Sequence, residues 1–157
     1  MLIYIGADHR GFKLKEYLKS ILKNEGYEVV DVKPELEEGD DYPDVASNLA
    51  YQVSLNNTNA KGILLCGSGA GVSIVANKFP HVRAALALNA DQIYDAKSDE
   101  DINVLSISSD FTEPEVAKKI LTTWLKTPFS EEERHKRRLK KISDLEGTMI
   151  RLPELEK

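Results

Sequence analysis

The stretch Gly62-Ile-Leu-Leu-Cys-Gly-Ser-Gly-Ala-Gly-Val-Ser-Ile-Val-Ala-Asn-Lys78 decides how the rest of this chain is read. Residues 62–66 form a short apolar run, the pattern of a strand buried on both faces, and it stops at glycines alternating with small residues. From Val72 the spacing becomes helical, with Val72, Val75, Ala76 and Phe79 recurring at intervals of three and four. The pattern predicts strand, tight glycine loop, helix. Cys66, the single cysteine, therefore stands at the C-terminal end of a central strand, where parallel α/β sheets bind their ligands.

Outward from this stretch the same alternation repeats. Upstream, residues 2–5 read as a strand, 6–11 as its exit loop, and 12–25 as a helix with Leu14, Tyr17, Leu18, Ile21 and Leu22 inward and its lysines outward. Gly26 stops that helix. Residues 27–32 are a second strand and 33–41 an acidic surface loop; Pro43 then opens a helix anchored by Val45, Leu49, Ala50 and Val53. Downstream, 82–88 reads as a strand, 91–97 as a weak helix and 102–107 as a fifth strand. Pro114 opens a helix to residue 126 with Val116, Ile120, Leu121 and Trp124 inward.

Strands that alternate with helices and lack clean period-two patterning predict a five-stranded parallel sheet covered on both faces. After Pro128 comes an additional C-terminal helix over residues 130–146, with Ser130 as N-cap and an acidic first turn. It carries cations from Arg134 to Lys141 and an apolar stripe of Leu139, Ile142 and Leu145, so it packs on its own domain or on a partner subunit. Residues 1–146 make one domain, and 147–157 read as a tail.

With 157 residues, 41% hydrophobic and 30% charged, the composition is that of a single soluble globular domain. No apolar run approaches the roughly 20 residues of a membrane span. The chain starts on a strand-like segment without a signal-peptide pattern, which gives a cytoplasmic expectation. A lone cysteine cannot make an internal disulfide and is either a buried small hydrophobe or a working thiol. The net charge of −5 disfavours nucleic acid as the main partner but leaves room for a small anion in a local basic pocket.

The loop Gly67-Ser68-Gly69-Ala70-Gly71 is not a dinucleotide fingerprint, because Val72 stands where the last glycine would be, and the chain has no P-loop lysine or nucleophile-elbow serine. What remains is a loop whose N–H groups suit a phosphate or a developing oxyanion, or whose glycines simply allow close strand–helix packing. Beside it, the helix dipole and nearby N–H groups would poise the Cys66 thiol. Asp8 and His9 lie in the exit loop of the first strand, at the same sheet edge in a doubly wound fold; a histidine capping its own loop is the plainer alternative. Arg134 and Arg138 stand one helical turn apart and share a face with Lys141, which suits a phosphate dianion as well as a solvated helix surface. His9, His81 and His135 are scattered without metal-ligand spacing.

Taken together and in order, several motifs resemble the ribose-5-phosphate isomerase type B family. They are Gly6-Ala-Asp-His-Arg-Gly-Phe-Lys-Leu-Lys15, Asp41-Tyr-Pro-Asp44, residues 63–74, Ala76-Asn-Lys78, Val82-Arg-Ala-Ala85, Asn103-Val-Leu105 and Arg134-His135 with Arg138. The resemblance runs from the first strand to the last helix and omits only the tail. It implies a three-layer α/β/α Rossmann-like sandwich acting as a homodimer, each active site built across the interface with the C-terminal helix. It also implies interconversion of an aldose phosphate and a ketose phosphate through an enediolate, without metal or cofactor.

On that resemblance Cys66 is the proton-transfer base, and the amides of Gly67, Ser68, Gly69, Ala70 and Gly71 hold the enediolate oxygen. Asp8 and Tyr42 contact the sugar; His9, Arg134 and Arg138 hold the phosphate, the arginines reaching across the interface. Two positions depart from the family pattern. Ser68 stands in place of threonine and keeps the hydroxyl. Asp99 stands where the ring-opening histidine is usual, with no histidine nearby, and an exposed aspartate, ionised at neutral pH, is a poor proton donor unless burial raises its pKa. The leading substrate pair is ribose 5-phosphate and ribulose 5-phosphate. The alternatives are another sugar phosphate, such as allose or galactose 6-phosphate or open-chain erythrose 4-phosphate, which cannot close a furanose, and a non-catalytic sugar-phosphate binding subunit.

Overall fold

The computed structural model describes residues 1–149. Five strands, β1 (Leu2–Ala7), β2 (Glu28–Asp31), β3 (Ala60–Cys66), β4 (Ala84–Leu86) and β5 (Val104–Ser108), form one parallel sheet in the order β2-β1-β3-β5-β4. The helices are α1 (Phe12–Asn24), α2 (Tyr42–Leu55), α3 (Ala70–Ala76), α4 (Ala90–Glu100), α5 (Pro114–Lys126) and α6 (Glu133–Met149). The chain leaves β1 toward β2 on one side, and β3 lies on the other. The ends of β1 and β3 therefore flank the crevice where open α/β sheets bind ligands.

Two apolar layers enclose the sheet. On one face Leu14, Leu18 and Leu22 of α1, Ile93 of α4, and Ile120, Leu121 and Trp124 of α5 pack on Ile3, Ile5, Ile63, Leu65, Leu105 and Ile107. On the other, Ala46, Leu49, Ala50 and Val53 of α2 and Val72 and Ala76 of α3 cover Tyr4, Leu64, Cys66 and Val104. Side chains alternate across β3, so Cys66 points to the α2/α3 layer and Leu65 to the other. Each fully buried aliphatic chain here contributes about 1.5–3 kcal/mol.

The inward faces differ from expectation at two places. Lys15 of α1 is completely buried, because Asp31 at the end of β2 takes its ammonium at 2.9–3.1 Å and the Lys33 carbonyl receives another of its protons. On α5 it is Ala117 that is buried while Val116 is 44% exposed. The helix wheel centres on Trp124, whose Nε1 donates to the Ile102 carbonyl at 3.1 Å.

Several boundaries also shift. The strand expected over 82–88 keeps only three residues, since β4 is an edge strand bonded to β5 alone and its approach is bent by His81 at φ 63°. The weak helix over 91–97 runs longer, Ala90–Glu100, with Asn89 capping it through a 2.8 Å bond from the Gln92 amide. The last helix starts later than residue 130 and continues through Gly147 to Met149. The remainder of the expected tail lies outside the described residues. Among the described residues no helix is long and apolar enough to cross a membrane, and no group of three or more His, Cys, Asp or Glu could hold a metal ion.

Candidate active site

Cys66 ends β3 almost fully buried, and the loop beyond it turns sharply at Gly69, whose φ is 73°. That left-handed turn aims the Gly69 amide back at the sulfur, which accepts its hydrogen bond at 3.2 Å. The Ala70 amide donates to Ser68 Oγ at 3.3 Å. Two of the five amides expected to face an anion are therefore engaged within the loop. The exit of β5 anchors it: the Gly67 carbonyl accepts from the Asp110 amide at 3.1 Å and Ser108 Oγ at 2.7 Å, and the Cys66 carbonyl accepts from the Ser109 amide at 3.0 Å.

Across the crevice, the exit loop of β1 holds Asp8, which is buried and accepts the Gly11 amide at 2.9 Å. Gly11 has no room for a side chain, since a Cβ there would lie 2.8 Å from the Leu65 backbone. Tyr42, in the first turn of α2, lays its ring against Gly71, where a Cβ would come within 2.6 Å of it. Asp8, Tyr42, Cys66, Gly67, Ser68 and Gly71 thus line one cavity of about 470 Å³, closed by Arg10, Asp110 and Phe111.

His9 sits beside this cavity, with its amide and its Nδ1 each 2.8 Å from Asp40 Oδ1. The hydrogen bond to Asp40 raises its pKa above the ordinary 6.5, with Asp8 and Glu38 adding to the effect. The imidazolium is thereby favoured next to a site suited to an anion.

The other expected site residues are elsewhere. Because α4 returns from the end of β4 to the start of β5, Asp99 near its C-terminus lies at the edge where strands begin, opposite Cys66. Helix α6 packs along that same edge, its Glu146 accepting from the His81 amide at 3.1 Å ahead of β4. Arg134 and Arg138 are exposed on α6, and Arg134 Nε lies 2.8 Å from Glu132. Within one chain these three residues do not meet Cys66.

A histidine does lie near Asp99, contrary to the sequence reading. His135 is buried, its Nδ1 2.7 Å from Ser130 Oγ and 3.6 Å from Asp99 Oδ1. Sequence reasoning also passed over Arg10, Asp110 and Phe111. Arg10 stands next to the Asp8-His9 pair, but its partner Asp110 is a hundred residues away, so only folding joins them.

The Ribose/Galactose Isomerase family profile matches residues 3–142. This chain belongs to that family. Its relatives include a probable ribose-5-phosphate isomerase B of Mycoplasma pneumoniae, 42% identical over 89% of this chain and 91% of that protein. The ribose-5-phosphate isomerase B of Escherichia coli is 37% identical over 92% of this chain and 95% of its own length. Among solved structures, ribose-5-phosphate isomerase B of Mycoplasma genitalium with bound ribulose-5-phosphate superposes with a TM-score of 0.90. It is 38% identical and covers 93% of this chain and 96% of that one. The five-stranded parallel α/β architecture is thus the family fold.

Proposed function

We propose that this chain is an aldose–ketose isomerase of sugar phosphates, with ribose 5-phosphate and ribulose 5-phosphate as the leading pair. The observation that carries the reading is the position of Cys66, at the base of the cavity between the ends of β1 and β3. Cys66 Sγ takes the proton from C2 of the open-chain aldose. The C–H electron pair becomes the C1–C2 double bond, and the carbonyl pair moves to O1. Return of the proton to C1, with transfer of a proton between the two oxygens, yields the ketose. Amides of the loop from Gly67 to Gly71 and Ser68 Oγ receive the developing negative charge, while Asp8 and Tyr42 hold sugar hydroxyls.

The phosphate is held by His9 together with Arg134 and Arg138 of a second copy of the chain. Homodimer assembly is supported by the separation of those arginines from Cys66 within one chain. Asp99 of the second copy opens the furanose ring. A second reading, in which open-chain erythrose 4-phosphate is the better substrate, is favoured by Asp99 itself, a carboxylate half-open to solvent where ring opening needs a proton donor.

The test is turnover of ribose 5-phosphate and erythrose 4-phosphate by the purified protein, with solvent-deuterium incorporation into the product. Cys66→Ala is expected to lower kcat by about 10³-fold or more. Full activity in that variant removes Cys66 from the role, and binding of sugar phosphates without any turnover removes the isomerase reading.

A further inference from the structure

Arg10 is the single cation on the wall of the Cys66 cavity among the described residues, and neither the proton transfer nor the phosphate grip uses it. It reaches over the glycine loop to pair with Asp110, which follows β5. Its guanidinium lies against Gly67, the residue after Cys66, so closely that a Cβ at position 67 would fall 2.6 Å from Cζ. The side chain is 57% exposed, and Asp110 is 32% exposed, so the pair is held loosely and can part. The guanidinium thus shares the cavity wall with Cys66 and lies against the residue that follows it, where its fork of N–H donors can face an anion formed beside the thiol.

Resting on the isomerase reading above, we propose that Arg10 is a catalytic residue that exchanges Asp110 for the enediolate oxygen as the substrate loses its proton. Arg10 stays protonated throughout and donates N–H bonds to the oxygen that gains charge. Asp110 is its positioning residue, holding the guanidinium at the cavity rim until substrate arrives. The exchange replaces one anion by another, so the donor is already aligned when charge develops. It also supplements the loop amides, of which Gly69 and Ala70 are engaged within the loop.

The test uses the full-length protein with ribose 5-phosphate as substrate, phosphoerythronohydroxamate as a planar anionic mimic of the enediolate, and inorganic phosphate as a probe of the phosphate end. Arg10→Gln is expected to lower kcat about 10²-fold with KM within about threefold, and to weaken the hydroxamate by a similar factor. Inhibition by inorganic phosphate stays within about twofold. Arg10→Lys, which keeps the charge without the fork, recovers part of the loss. Asp110→Asn separates a catalytic role from a structural latch: it breaks the ion pair, keeps Arg10, and is expected to lower kcat by a smaller factor than Arg10→Gln while hydroxamate affinity stays within about threefold.

The proposal is overturned if Asp110→Asn loses as much activity as Arg10→Gln, if Arg10→Gln mainly weakens phosphate, or if it leaves kcat and hydroxamate affinity unchanged. Hydroxamate affinity measured by calorimetry tests Arg10 even without turnover, so failure of the isomerase reading is distinguishable from failure of this one.

Discussion

His135 Nδ1 lies 3.6 Å from Asp99 Oδ1, so the carboxylate near the end of α4 is backed by a buried imidazole from α6. The same ring nitrogen contacts Ser130 Oγ at 2.7 Å, which fixes the ring plane against α4. Asp99 itself is 41% exposed and free to meet a ligand presented from outside its own chain.

If Asp99 opens the furanose, its loss should affect only a cyclic substrate. Asp99→Asn is expected to lower kcat/KM for ribose 5-phosphate by about 10- to 100-fold while erythrose 4-phosphate changes by less than about threefold. Equal losses on the two sugars, in steady-state assays at one pH, would show that Asp99 does not act in ring opening.

If Arg134 and Arg138 act in the site of a second copy, inactive variants become complementary. Cys66→Ala and Arg138→Ala should each be inactive alone. Mixed under conditions of subunit exchange they should recover up to about a quarter of parental activity, because half the dimers are then mixed and each has one intact site of two. No recovery despite demonstrated exchange would place the arginines in the same site as their own Cys66.

The raised pKa of His9 gives a pH dependence of known sign. Its largest cause is the hydrogen bond to Asp40, which favours the imidazolium in the folded state. The stability it contributes is present in full below the unfolded value of about 6.5 and is lost as pH rises through the higher folded value. Affinity for inorganic phosphate should fall over the same interval. Asp40→Asn should return the His9 titration, followed by NMR of its ring proton, toward the ordinary value. An unchanged titration would assign the shift to another neighbour.

Gly69 and Gly26 share a left-handed backbone but not the space around it. A Cβ at Gly69 would lie 2.6 Å from Leu86 Cδ1 and 2.9 Å from backbone atoms of Ile107 and Ser108, whereas Gly26 has nothing within 4 Å. Gly69→Ala should therefore cost about 3 kcal/mol, strain and overpacking together, and Gly26→Ala about 1 kcal/mol from the backbone alone. Urea unfolding of both variants checks the difference; equal costs would mean that the β5 exit yields freely.

Much of this molecule is legible locally. The apolar run ending at Cys66, the glycine loop and the following helical spacing are short-range patterns, and they place Cys66, Ser68 and Gly67 to Gly71 at the edge where the strands end, as the structure has them. Asp8 and Tyr42 are legible for the same reason, each lying within a residue or two of an element end. Lys15 and His135 are not, because a polar side chain is read as exposed unless its partner in the fold is known, and those partners are Asp31 for Lys15 and Asp99 for His135.

The sequence by itself determined the parallel α/β alternation and the thiol-and-glycine loop, since both are encoded by periodicity and by residues that permit a tight turn. Only the tertiary structure decided the strand order, which sets β1 beside β3 and opens the crevice. It also decided that Asp99, Arg134 and Arg138 sit at the edge opposite Cys66, and that Arg10 meets Asp110 over the glycine loop. These are contacts between segments far apart in the chain, and their energy comes from packing and charge that no local pattern records.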